Sequence, residues 1–152
     1  MFNFLPCSDW QVFQMAQREA PDEEARLSAF AGAAWGYALV NQRQPRIMAE
    51  LLIRQHGDEL ARDGGFANGI ASAMIMRYDT TPDAPFIQSF LRYQPDPADR
   101  RLVALWDWLV RIPGETAINE YHPVLRQQGR IGDVFEYRDL RSHVAQLREA
   151  GA

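Results

Sequence analysis

The sequence predicts an all-α protein, a compact bundle of six to seven helices around a central buried helix at about residues 21–42. Three observations carry this. Apolar residues recur every three to four positions along most of the chain, the spacing of a helix face. Prolines and glycines cut those runs into pieces of ordinary helix length, joined by short turns. No alternating apolar–polar run finds a second one to pair with, which leaves a sheet without material.

Met1–Pro6 (MFNFLP) reads as an apolar arm packed on the body. Ser8 and Gln11 have the spacing of a capping box, and Trp10, Phe13 and Ala16 face inward from the helix it opens. Pro21 and the acids Asp22, Glu23 and Glu24 suit the first turn of the central helix, where the backbone dipole is positive. On that helix Leu27, Phe30, Ala31, Ala34, Trp35 and Ala38 share one face, while Ala29, Gly32, Ala33, Gly36 and Val40 lie opposite. A helix apolar on both sides is expected between other elements. Gly32 and Gly36, one turn apart, offer a helix-packing groove where a second backbone could come close, within one chain or across a dimer seam. Each glycine costs a helix about 1 kcal/mol relative to alanine, so packing has to offset both.

Pro45 opens a third helix with Ile47, Met48, Leu51 and Leu52 inward and His56 at the edge of the stripe. Gly57 weakens it and Gly64-Gly65 ends it. Phe66–Tyr78, apolar nearly all round, reads as a second buried helix. Thr80 or Thr81 caps the next, with Pro82 at its first position and Phe86, Ile87, Phe90 and Leu91 inward. Asp96-Pro97 starts another, with Leu102, Leu105, Trp106 and Leu109 on one face and Asp107 paired to Arg111 one turn on. Pro113-Gly114 is expected to break that helix. Pro123 then confines Glu115–Gln128 to a short helix and an irregular loop. Val134–Tyr137 reads as a short extended piece, and Asp139 caps a last helix with Leu140, Val144 and Leu147 inward.

Composition excludes several functions. A net charge of −4 argues against a general nucleic-acid binder. All sixteen basic residues are arginine, which removes lysine chemistry and resembles the coding bias of a GC-rich bacterial genome. Cys7 stands alone, so no intrachain disulfide can form and a reducing compartment, the cytoplasm, is expected. The N-terminus lacks the pattern of a signal peptide. The longest mainly apolar run, Leu27–Val40, falls short of the roughly 20 residues that span a bilayer, so no membrane partner is expected. His56, His122 and His143 lack metal-ligand spacing, although Asp58 and Glu59 lie close to His56, and no metal or other cofactor is expected. No nucleophile motif occurs, and Gly64–Gly69 follows no strand, so it is not a dinucleotide fingerprint.

What remains is a set of tyrosines and arginines at element ends: Arg77 and Tyr78, Arg92 and Tyr93, Tyr121 with His122, and Tyr137 with Arg138. Arg126 and Arg130 join them in the stretch 121–152, where five arginines face four acids, against eight and thirteen in residues 1–99. With Arg138 and Arg141 they could grip a phosphate or an acidic partner. Tyr and Arg dominate binding hot spots. The expectation is therefore a protein–protein interaction module: an adaptor, an inhibitor or immunity-type partner, or a subunit of a larger complex. It would have no catalysis of its own and could also pair with itself. The alternative is a small-molecule site or enzyme between helices. That site would use the Gly32/Gly36 groove, Trp35 and Tyr37, with His56 or His122 acting beside a carboxylate.

Overall fold

The computed structural model describes residues 9–151, which form seven helices and a 3-10 segment, with no strand among them. The helices are α1 (Asp9–Glu19), α2 (Glu23–Asn41), α3 (residues 45–60), α4 (Gly65–Thr80), α5 (Pro85–Arg92), α6 (residues 100–127) and α7 (Leu140–Ala150). The 3-10 segment is Ile131–Glu136. The all-α class is thus as the sequence predicts. The apolar arm, Cys7 and the Ser8 cap lie outside the described residues.

Two helices share the centre. α4 buries Phe66 and the whole run from Gly69 to Ile75, and α2 lays Phe30, Ala31, Ala34 and Ala38 against it. The close approach comes from Gly69. A Cβ there would sit 2.2 Å from the Ala31 carbonyl oxygen and 2.7 Å from Ala34 Cβ, so only a glycine lets the two backbones meet. Burial of α2 is one-sided. Its other face is partly open, with Val40 83% exposed, where the sequence predicts cover on both sides.

α6 is the main departure from expectation. Pro113 and Pro123 do not end it; the helix runs through both. Each proline follows a π-helical turn, Asp107–Arg111 and Ala117–Tyr121. In those turns the Ile112 N–H donates to the Asp107 carbonyl and the His122 N–H to the Ala117 carbonyl, five residues back. The wider register carries the chain past the point where a proline ring would strike the carbonyl four residues before it. α3 contains a third such turn, Met48–Ile53. Gly57, read from sequence as a weak point, is a contact: a Cβ there would lie 2.7 Å from Leu105 of α6.

Three boundaries also differ. α5 begins at Pro85 rather than Pro82, because α4 continues to Thr80, whose hydroxyl donates to the Met76 and Arg77 carbonyls. α6 is capped by Asp99, which accepts from the Leu102 N–H at 3.1 Å, while Asp96-Pro97 forms the turn before it. Val134–Tyr137 is not extended but lies in the 3-10 segment and its left-handed end at Tyr137, φ 52°. Asn68 of α4 holds that corner. Its amide donates to the carbonyls of Tyr137 (3.3 Å) and Arg138 (2.7 Å), and its carbonyl accepts from the Leu140 N–H (3.0 Å).

Candidate functional site

Two concavities on the surface of the described residues hold residues singled out from the sequence. The first is a groove of about 450 Å³ between α1 and α2, closed at one end by Ile47 of α3. Gly32, Ala33 and Gly36 form one wall, and Val12 and Phe13 the other. The two glycines differ. A Cβ at Gly32 would rest on the Tyr137 ring at 3.5 Å, whereas one at Gly36 would have nothing within 4 Å. Gly36 therefore opens into the groove. Val12 (45% exposed) and Val40 stand in water along it, and Met15, one turn from Val12 on α1, is 46% exposed.

The second is an open cleft of about 670 Å³ between the connection 92–97 and α6. Tyr93, Pro95, Pro97 and Val103 give it apolar walls. Tyr93 is set by its edge-on contact with the buried Trp106, ring centroids 5.1 Å apart. Burial, with Glu50 nearby, pushes its phenol above the ordinary range, so it stays a protonated donor at neutral pH. Arg92, Arg100 and Arg111 also line the cleft. Arg111 donates to Asp107 at 2.7 Å and to Glu115 at 3.4 Å, while Arg92 and Arg100 have no hydrogen-bond, ion-pair or ring partner among the described residues.

The other predicted interaction residues are dispersed, and most are engaged internally. Arg77 donates to Gln42 and lies over the Phe86 ring. Tyr78 meets the His122 ring edge-on at 4.9 Å. Tyr121 is half-buried, and burial with the nearby Asp139 raises its phenol pKa. Arg138 pairs with Glu136, and Tyr137 covers Gly32 and packs on Trp35.

Both C-terminal histidines sit in matching arrangements that sequence spacing could not suggest. His122, buried, bonds Asp79 at 2.9 Å, and Arg126 donates to the same oxygen at 2.7 Å. His143, also buried, bonds Asp133 at 2.6 Å, with Arg130 on the same oxygen at 2.8 Å. A carboxylate only accepts, so Nε2 carries the proton in each pair. The His122 bond, with Arg126, holds Asp79 below the usual carboxylate range. At Asp133, burial pushes upward but His143 and Arg130 outweigh it, and the net shift is downward. Neither pair lines the groove or the cleft. His56 stacks flat on Trp10, centroids 4.0 Å apart, and no group of three or more His, Cys, Asp or Glu converges among the described residues.

No helix among the described residues is long and apolar enough to cross a membrane. Comparison with protein-family models, curated proteins and solved structures gives no match to this chain.

Proposed function

We propose that this protein is a binding module, and that the groove between α1 and α2 receives an amphipathic helix of a partner protein. The observation that supports this is the open apolar groove: Gly36 leaves its floor unfilled, and Val12 and Val40 stay exposed along it. Helices dock in grooves by inserting residues three or four apart, and Gly36, with nothing within 4 Å of where its Cβ would stand, lets the inserted backbone come close. A second copy is the competing occupant, because a two-fold pair can seat the ridge beside one groove in the groove of the other.

The test uses two variants that alter the groove without touching the core. Gly36→Leu fills the floor, and Val40→Asp places a charge where the side chain is already exposed. Each should fold as the parent does and lose a partner recovered stoichiometrically with the parent protein, while Arg62→Ala on another surface keeps it. A partner that survives both groove variants overturns the reading. So does the absence of any stoichiometric partner, or the loss of self-association in place of a partner.

A further inference from the structure

The cleft beside α6 carries a separate inference. We propose that it binds a small organic anion, a carboxylate or phosphate monoester joined to a compact apolar body. Arg92 and Arg100 reach it from opposite sides in sequence, the last turn of α5 and the first of α6, and neither is neutralised among the described residues. Arg100 also stands at the positive end of its helix, where a cation is disfavoured. Its neighbour Asp99 does not relieve it, because that carboxylate already accepts from the Leu102 N–H and pairs with Arg54. Two unpaired cations sharing one concavity raise its potential locally even though the chain is acidic overall. Arg18 and Arg62 also have no partner among the described residues, but they do not line the cleft.

The remaining walls describe the rest of the ligand. Pro95, Pro97 and Val103 are apolar, and Tyr93, braced by Trp106, adds to the wall. Arg111 is held by Asp107 and, more loosely, by Glu115, so both carboxylates are paired, and the lining carries three arginines against these two acids. A volume of about 670 Å³ suits a small molecule. An extended acidic peptide or a nucleic acid would need a longer basic track than this single concavity.

The test titrates the protein with phenyl phosphate and 3-phenylpropionate, followed by amide chemical shifts. Inorganic phosphate tests the headgroup alone, and benzyl alcohol tests the apolar body alone. At least one of the two anions should bind saturably and shift residues 92–97 and 100–111, and their ranking identifies the headgroup. The Arg92→Ala/Arg100→Ala variant should weaken that binding by about ten-fold or more. Arg18→Ala/Arg62→Ala removes the same charge elsewhere and should leave it unchanged. Failure of both anions to saturate by about 10 mM, corresponding to less than about 3 kcal/mol of binding, overturns the proposal. Equal weakening by the two double variants does so as well, as does equally tight binding of inorganic phosphate or of benzyl alcohol.

Discussion

At the scale of single residues, helical glycines in this chain do opposite things, and their surroundings decide which. Gly69 exists for contact. An alanine there would put its methyl 2.2 Å from the Ala31 carbonyl oxygen, and both helices would have to separate. Gly69→Ala should therefore lower stability by about 1–3 kcal/mol, the range for overpacked sites. Gly36 has no such neighbour, so Gly36→Ala should raise stability by roughly 0.5–1 kcal/mol through helix propensity alone. Urea denaturation of the two variants reads both signs, and a neutral Gly69→Ala would mean the α2–α4 seam can relax. In the sequence the glycines look alike. Gly32 and Gly36 stand out because they are one turn apart on an apolar helix, but spacing along one helix says nothing about what the other helix brings. Gly69 sits in a small-residue run and becomes visible only when Ala31 is placed opposite it. The same limit applies to the arginines. Arg92 and Arg126 both lie at helix ends, yet only Arg126 finds a carboxylate, and that carboxylate is Asp79, 47 residues away.

At the scale of elements, most helix faces were legible and the long helix was not; Leu51, expected inward on α3, is 58% exposed, because the π turn Met48–Ile53 shifts the spacing there. Ile87, Phe90 and Leu91, and then Leu102, Trp106 and Leu109, are buried as their three-to-four spacing predicts. What hid the length of α6 was Pro113 and Pro123, since an interior proline ordinarily ends or kinks a helix at a cost of about 3 kcal/mol. A π turn amounts to one extra residue in an α-helix, and it shifts the local apolar spacing enough to blur the pattern that would announce continuity. Trp108 is 63% exposed, so deleting it removes little from the core while returning the turn at 107–111 to α register. The Leu109 carbonyl would then meet the Pro113 ring. Deletion of Trp108 should cost about 3 kcal/mol with Pro113 present and much less in a Pro113→Ala background, while Pro113→Ala alone changes little. If Pro113→Ala gives the same gain with and without Trp108, the π turn is not what accommodates the proline.

At the scale of the molecule, residues 122–151 are joined to the rest, and to one another, by a few polar links as well as by apolar packing. Asn68 holds the corner at 137–140, Asp79 takes His122 and Arg126, and Asp133 ties the 3-10 segment to α7 through His143 and Arg130. Both aspartates titrate below the ordinary carboxylate value of 3.8, Asp79 chiefly through the His122 bond and Asp133 because its two partners outweigh its burial. A carboxylate lowered in the folded state binds protons less readily there than in the unfolded chain. Its contribution is therefore complete above the unfolded value and is lost as pH falls through the folded one. Residues 122–151 should loosen first on acidification below about pH 4, while the α2–α4 seam, held by apolar contact, persists to lower pH. Amide signals followed from neutral to acid pH check the order. Residues 122–151 should lose native shifts before residues 23–41 and 65–80. Asp133→Asn should lower stability at neutral pH by roughly 1–3 kcal/mol and flatten the acid slope, because the group whose protonation drives the loss is gone. Simultaneous loss across the chain, or an unchanged slope in Asp133→Asn, would place the acid sensitivity elsewhere. Either result would reduce the paired histidine–aspartate contacts to passive packing.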